Sequence, residues 1–306
     1  MKERPIKNVA ASVRARLLNH SRAVGRPAND VFLQYAMERF LYRLSQSEFR
    51  ERLILKGALM LVAWRAPSIR PTADIDLMGR IRNEPDLVLK IVRAICDHGV
   101  EADGVRFLAS TVRCEPIAEE AEYEGLRVRF EGRLDTIRLH MQIDFGFGDV
   151  VSPPPDEIEY PTLLDHPAPK VLAYPRETSI AEKFHVMLIR QQLNSRMKDY
   201  YDIWLLSRSF AFDGERLSRA IAQTCAARRT PIPADVAGLQ RRFAEDPTKA
   251  TQWRAFRRQS KLADAPEDFV EVVEAARGFL EPIVRTAAEG KSLAGTWQPP
   301  GPWRRP

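Results

Sequence analysis

Cysteine is scarce in this sequence, which has only Cys96, Cys114 and Cys225 among its 306 residues. The three are far apart and odd in number, and they form neither a Cys-x-x-Cys pair nor a zinc-type spacing with histidine. This pattern excludes a disulfide-stapled secreted domain and favours a reducing, cytoplasmic compartment. Each cysteine is therefore interpreted as a small buried hydrophobe.

Long apolar runs are lacking as well. The most apolar stretch, LILKGALMLVAW at 53–64, contains Lys56 and is shorter than the roughly 20 residues that a membrane-spanning helix needs. The first residues of the sequence are basic, without the apolar segment of a secretion signal. We therefore expect no membrane association and a cytoplasmic location.

Charge is only mildly biased towards one sign. The sequence has 47 Lys and Arg against 41 Asp and Glu, which gives a net charge of +6. This excess is consistent with a polyanionic partner but does not identify one.

Hydrophobic periodicity divides the chain near residue 165. Before this point helical and strand patterns alternate, and GLRVRFEGRL followed by TIRLHMQIDFGFG predicts a β-hairpin. The proline-rich segment 150–170 is interpreted as a linker or an extended surface crossing. After it the patterns are helical, and the final GTWQPPGPWRRP is expected to be a loose tail. The sequence thus predicts an α/β domain over 1–165 and a helical domain over 166–306.

The stretch RPTADIDLM places two aspartates two positions apart in an apolar strand pattern. Asp74 and Asp76 then project from the same face, while Ile75 and Leu77 point to the core. Two neighbouring carboxylates repel each other, and both stay ionised only if a cation lies between them. Mg²⁺, or Mn²⁺ in its place, fits because it binds carboxylate oxygens and leaves positions for water and phosphate.

Two further segments point to the same chemistry. LILKGALML predicts a strand, a turn at Gly57 and a helix start, where the backbone can approach a ligand and its N–H groups can bind an anion. In HMQIDFGFG, Gln142 and Asp144 share one strand face, so that Asp144 can supply a third carboxylate. This set suits metal-assisted nucleotidyl transfer, in which the third carboxylate completes the metal site and can accept the proton of the attacking hydroxyl.

These segments resemble those of the AbiEii/AbiGii-type toxins of the nucleotidyltransferase superfamily. The resemblance implies a bilobed protein, in which an all-helical C-terminal domain closes the active-site cleft of a nucleotidyltransferase-fold α/β domain with a mixed sheet. It also implies an NTP substrate, transfer to the 3′ end of tRNA, and a cognate antitoxin in a toxin–antitoxin or abortive-infection system. The similar segments, in the family's order, are LILKGALML, RPTADIDLM, MQIDFGFGD, YPTLLDHPAP, YPRETSIAEKFHVM and NSRMKDYYDIWLL.

Some positions at the glycine turn depart from the family's usual pattern. Where the family often has Gly-Gly or Gly-Ser, this chain has Gly57-Ala58, so that phosphate contact at Ala58 must come from its backbone N–H. Thr72 occupies the place of the Ser or Thr that often precedes the Asp-x-Asp. Lys56 is interpreted either as a phosphate contact or as a strand-end lysine that extends into solvent.

The helical half contributes candidate cations and acids. TSIAEKF predicts a helix start capped by Ser179 and Glu182. The resemblance implies that Lys183 contacts the triphosphate, with a solvated helix lysine as the alternative. Arg190, two turns later, is a weaker candidate for the same anion.

Two acids lie in the segment KDYYDIW. Asp199 and Asp202 share one helix face, and a salt-bridged helix explains one acid well and two poorly. We prefer Asp202, with Asp199 second, as the acid that orients Lys183 or an active-site water.

A last group of residues suggests RNA contact. Arg257 and Arg258 lie near Trp253 and Phe256, a mixture of cations and aromatics found on RNA-binding surfaces, although a solvated basic face is the alternative. Other functions remain open: a catalytically silent RNA- or protein-binding module, or transfer to a protein or small-molecule hydroxyl. The complete set of carboxylates favours a metal-dependent enzyme.

Overall fold

A computed structural model describes residues 8–68, 70–117 and 125–304. These residues form two compact units. The first contains the described parts of 1–64, 71–148 and 156–173, and the second contains those of 65–70, 149–155 and 174 onward. The first unit is α/β and the second mainly helical, which confirms the predicted fold class. The assignment of functional domains to 1–165 and 166–306 stays a prediction.

A mixed sheet forms the centre of the first unit. Its strands are β1 (Leu53–Lys56), β2 (Ile75–Gly79), β3 (Val105–Pro116), β4 (Leu126–Leu134), β5 (Ile137–Phe147), β6 (Asp156–Glu159) and β7 (Lys170–Ala173). The spatial order is β3-β4-β5-β2-β1-β7-β6. β2 runs parallel to β5, and β1 runs parallel to β7. The predicted hairpin is confirmed, since β4 and β5 pair antiparallel.

Helices cover the apolar side of this sheet. They are α1 (Val9–Val24), α2 (Ala28–Gln46), the short α3 (Leu59–Ala63) and α4 (Pro85–Cys96). α2 packs against β5 and β7, and α4 packs against β3. At the centre of this core Phe40 contacts Phe107 and Phe130. Because successive strand residues alternate between faces, the residues between the buried positions of β4 and β5 face away from these helices.

An ion pair is buried within this first unit. Glu38 and Arg39 on α2 are each 1% exposed, and the Arg39 Nη2 lies 2.8 Å from Glu38 Oε1. The backbone N–H of Leu163 donates to Glu38 Oε2 at 2.7 Å. Burial penalises the charged carboxylate, and despite Arg39 it raises the pKa of Glu38 from 4.5 to about 7.

Stability should therefore depend on pH through Glu38. The folded state holds the Glu38 proton more tightly than the unfolded state, so the resulting stability is complete below about pH 4.5 and is lost as pH rises through about 7. Relative to Glu38→Gln, the wild-type free energy of unfolding should fall by up to about 3 kcal/mol across this window. Urea titrations of both proteins at several pH values measure this difference. A difference that stays constant with pH would contradict the assignment.

The proline-rich segment is only partly a linker. Within it, Asp156–Glu159 forms β6 and pairs antiparallel with β7, from Asp156 opposite Ala173 to Glu159 opposite Lys170. Prolines end before β6 begins, so its backbone N–H groups remain available to the ladder.

Helices dominate the second unit. They are α5 (Arg176–Arg190), α6 (Met197–Ser209), α7 (Gly214–Ala227), α8 (Arg241–Ala244), α9 (Pro247–Ser260) and α10 (Phe269–Ala288). α5 packs against α7, and α6 packs against α10. None of the described helices combines the length and the hydropathy that a membrane-spanning segment needs.

The expectation of a loose C-terminal tail is wrong for its described part. Short strands β8 (Phe212–Asp213), β9 (Thr296–Trp297) and β10 (Trp303–Arg304) form a small antiparallel sheet in the second unit. Trp297 Nε1 donates to the Ser207 carbonyl at 2.6 Å, and Trp303 stacks on Phe279. Buried tryptophan surface and satisfied indole N–H groups outweigh the turn signals of the prolines.

Candidate active site

The strand register brings Asp76 and Asp144 together. β2 lies between β1 and β5, and Asp76 is directly opposite both Lys56 on β1 and Asp144 on β5. Ile75 and Ile143, next to the two aspartates, are fully buried. The two carboxylates therefore project from the polar side of the sheet, as the alternation of apolar residues predicts.

Gly57 provides room for one of these carboxylates. Its φ of 71° lies in the left-handed region, and a Cβ placed there would come within 1.8 Å of Asp76 Oδ2. The backbone of Gly57 thus lies directly against Asp76, which explains why glycine is needed in the turn between β1 and α3. Ala58, the N-cap residue of α3, is 3% exposed.

Asp74 comes just before β2 and is held by Thr72. The Thr72 hydroxyl donates to Asp74 Oδ1 at 2.5 Å. This bond fixes the orientation of a carboxylate that lies outside the regular strand. The contact agrees with a role for Thr72 in positioning Asp74.

Three carboxylates meet at this point of the sheet. Asp74, Asp76 and Asp144 are all half-buried, and one oxygen from each lies within 4.8 Å of the others. Three carboxylates this close together repel one another, and a cation between them would relieve that repulsion. Hard oxygen ligands from three side chains match the preference of Mg²⁺ or Mn²⁺, so this cluster fits a divalent cation.

Sequence reasoning missed Arg127. This residue lies opposite Asp144 on β4, and its guanidinium donates to both carboxylate oxygens, Nε to Oδ1 at 2.9 Å and Nη2 to Oδ2 at 2.8 Å. Gln142 Nε2 adds a third bond to Asp144 Oδ1 at 3.2 Å. The alternation in GLRVRFEGRL places Arg127 on the polar face, but only the hairpin register shows which acid it meets.

A second cluster of charges belongs to the helical unit. Lys183 Nζ lies 2.8 Å from Asp202 Oδ2 and 3.5 Å from Asp199 Oδ1. Burial opposes the lysine charge, but the two aspartates outweigh it and raise the pKa of Lys183. The contact between Asp202 and Lys183 agrees with one of the two roles predicted for Asp202, the other being to orient a water, and the functional role of both residues stays a prediction.

Arg70 is a second residue beside the predicted site residues that the sequence pattern did not identify. Its guanidinium donates to both oxygens of Asp202, at 2.9 and 3.1 Å. Burial would raise the pKa of Asp202, but Arg70 and then Lys183 outweigh it and lower the pKa to about 2. Nearby, the Tyr201 hydroxyl donates to the Ser68 carbonyl at 2.9 Å. These bonds attach Ser68 and Arg70 to α6.

The predicted cap of α5 is wrong. The helix begins at Arg176 after Pro175, which makes no side-chain cap bond, so Ser179 lies inside the first turns. Pro175 occupies the N-cap position with a fixed φ, and its side chain has no acceptor for the first N–H groups of the helix. Lys183 consequently lies two turns inside the helix rather than at its start. Arg190 is the last residue of α5, and its phosphate contact stays a prediction.

The prediction that Trp253 contributes an aromatic ring to an RNA-binding surface is wrong. This residue is fully buried, and its indole N–H donates to the Pro266 carbonyl at 2.9 Å. It packs on Phe269 in the core of the helical unit and is therefore closed to nucleobases. Arg258 is exposed and Arg257 half-buried, so their role in RNA contact stays a prediction.

Comparisons with known proteins identify the family. A family model described as "Nucleotidyl transferase AbiEii toxin, Type IV TA system" matches residues 39–275, more than half of the chain. The crystal structure of JHP933 from Helicobacter pylori is similar in fold, with a TM-score of 0.50, 11% identity and coverage of 85% of this chain and 94% of that one.

A second H. pylori structure, of a proposed nucleotidyltransferase, has a TM-score of 0.47 at 11% identity and covers 85% of this chain and 96% of its own. No curated protein matches the sequence. The match to the family model spans the glycine turn, the three aspartates, and the Lys183 and Asp202 segments. Because the family model matches more than half of the chain, the chain belongs to the AbiEii nucleotidyl transferase toxin family, whose description places it in type IV toxin–antitoxin systems.

Proposed function

We propose that this protein moves a nucleoside monophosphate from an NTP to an acceptor hydroxyl, with the 3′ end of tRNA as acceptor. The observation that carries the proposal is the cluster of Asp74, Asp76 and Asp144. Membership of a nucleotidyl transferase family supports the reaction class. The tRNA acceptor comes from the resemblance alone.

The reaction balances without an oxidant or reductant. The acceptor hydroxyl oxygen forms a bond to the α-phosphorus, the bond from that phosphorus to the bridging oxygen breaks, and pyrophosphate leaves. Asp144 is the candidate acceptor of the hydroxyl proton, since a carboxylate within reach of the nucleophile can act as general base. A bound divalent cation would supply charge neutralisation at the phosphates.

The remaining residues are assigned to binding and orientation. Asp74, Asp76 and Asp144 would hold the cation, with Thr72 orienting Asp74 through their hydrogen bond. We assign phosphate contact to the backbone at Gly57 and Ala58. Side chains proposed to bind the triphosphate are Lys56, Lys183 and Arg190, with Asp202 orienting Lys183.

Label transfer tests this function. The purified protein is incubated with Mg²⁺, total RNA and each NTP labelled at the α-phosphate, and the RNA is separated by size. Label in the tRNA band, with pyrophosphate released in equal amount, is the expected result. Label in protein or small molecules would move the acceptor, and no transfer with any NTP would favour a silent binding module.

Lys183→Ala should impair nucleotide use with little effect on folding. A charge-assisted bond to phosphate contributes about 1.5–3 kcal/mol, so KM for the NTP should rise roughly tenfold to a hundredfold. Asp202 keeps Arg70 as partner in the variant, which limits the loss of stability. Steady-state kinetics measure the change, and the exposed Lys291→Ala serves as control. An unchanged KM would leave Lys183 as a structural residue only.

The family also suggests the biological setting. Type IV toxin–antitoxin systems imply a cognate antitoxin, and we propose that this chain has one. A role in abortive infection, the defence of a cell population against phage, is part of the same proposal. NTPs and tRNA are both cytoplasmic, so the proposed reaction would take place there.

A further inference from the structure

Arg127 occupies a carboxylate that the proposed cation also needs. It faces Asp144 in register across the β4–β5 ladder, and both oxygens of Asp144 accept bonds from its guanidinium. The two side chains are 19% and 16% exposed, so the pair is partly desolvated and stronger than an ordinary surface pair. Arg127 therefore holds Asp144 firmly in place.

One carboxylate oxygen of Asp144 also lies in the cluster with Asp74 and Asp76. A divalent cation that binds there is repelled by the positive charge of Arg127 and competes with it for Asp144. A cation and a bidentate guanidinium compete for the lone pairs of one carboxylate, and their positive charges repel each other. Full engagement of Asp144 by a cation thus requires Arg127 to give up part of its bidentate bond.

A guanidinium released from a carboxylate has an obvious second partner in this reaction. Its planar fork of N–H donors matches phosphate oxygens as well as carboxylate oxygens. The triphosphate of the proposed substrate would arrive beside the cluster as the cation takes Asp144. The guanidinium would then exchange its bidentate bond to Asp144 for a bidentate bond to phosphate.

We propose that Arg127 is an exchangeable counter-ion, which holds Asp144 in the absence of a cation and transfers to a nucleotide phosphate when a divalent cation binds Asp144. The inference rests on the proposed function and adds a positioning and phosphate-binding residue to it. It makes the third carboxylate fully available only when cation and nucleotide are both present. Arg127 should consequently affect the two ligands in opposite directions.

Substitution by glutamine separates these two effects. In Arg127→Gln, removal of one positive charge next to the cluster should tighten Mn²⁺ binding about tenfold, even with water-like screening. Binding of α,β-methylene nucleoside triphosphates at saturating Mn²⁺ should weaken about tenfold or more, because a bidentate phosphate contact is lost. Electron paramagnetic resonance of free Mn²⁺ measures the first quantity, and calorimetry measures the second.

Arg129→Gln is the matched control. Arg129 lies two residues along β4 on the same face and pairs with Glu115 and Gln142 rather than with the cluster. The substitution Arg129→Gln removes the same charge from the same strand. Because Arg129 does not bind the cluster and its charge is screened by solvent, the affinities for Mn²⁺ and nucleotide should both stay within a factor of about two. If Arg127→Gln does not fold, Arg127→Lys provides the test, since it keeps the charge and loses the fork. That variant should retain Mn²⁺ affinity and lose nucleotide affinity.

The results of these measurements test the exchange of Arg127 separately from the proposed function. Unchanged Mn²⁺ affinity in Arg127→Gln, or weakening of both ligands, would overturn the exchange. So would unchanged nucleotide affinity in both Arg127 variants. Asp76→Asn is measured alongside: if it leaves Mn²⁺ affinity as in the wild type, the cation site itself is wrong and the proposed function fails first.

Discussion

Replacing Asp76 by Asn is expected to lower nucleotide transfer about a thousandfold or more, because metal-held phosphate activation contributes several kcal/mol to such reactions. Asp76 is central to the cluster, since it lies opposite Asp144 in the sheet and against the backbone of Gly57. The amide has nearly the same shape, so the fold should be kept. Relief of repulsion between neighbouring carboxylates should leave the melting temperature unchanged or slightly raised.

Asp86→Asn is the control for this substitution. Asp86 is exposed in the first turn of α4 and lies outside the carboxylate cluster. Its loss should change transfer by less than about twofold, as for most surface substitutions. Wild-type transfer by Asp76→Asn, measured with the labelled NTP that the wild type uses, would remove the cation assignment.

Gly57→Ala should also lower nucleotide transfer strongly, in this case through geometry alone. The new methyl group would fall 1.8 Å from Asp76 Oδ2 and 2.7 Å from its Cβ, so the whole Asp76 side chain must move. A displacement of about 1 Å at a reacting centre can cost on the order of a hundredfold in rate. We therefore expect transfer and Mn²⁺ affinity to fall together, with transfer reduced about a hundredfold.

Gly25→Ala is the control that separates backbone strain from displacement of Asp76. Gly25, which ends α1, has a φ of 66°, close to the 71° of Gly57, but a Cβ there would meet no atom within 4 Å. Both variants carry the left-handed penalty of about 1–2 kcal/mol, so both should melt at a lower temperature. Only Gly57→Ala should lose transfer. Equal activity in the two variants would show that the turn does not position Asp76.

The parts of the site that the sequence predicted are those encoded by local spacing. Asp74 and Asp76 are two apart, Asp144 follows a regular alternation, and Gly57 separates a strand from a helix. Strand geometry translates each of these patterns directly into a face or a turn. The carboxylate cluster could therefore be anticipated before the neighbouring strands were known.

The arginines could not be found in this way. Arg127 is 17 positions from Asp144, and Arg70 is 132 positions from Asp202. Their partners depend on strand register and on tertiary packing, which no local period encodes. The docked Trp297 and Trp303 were missed for a similar reason, because burial of aromatic surface by distant residues overrides a proline-rich composition.

Crystals grown with Mn²⁺ and a non-hydrolysable NTP test the central claim most directly. The anomalous difference map should show a peak within coordination distance, about 2.0–2.3 Å, of oxygens from Asp74, Asp76 and Asp144. The nucleotide phosphates should lie against the same peak. A bound nucleotide with no anomalous peak at these three carboxylates, or with a peak at other residues only, would contradict the account.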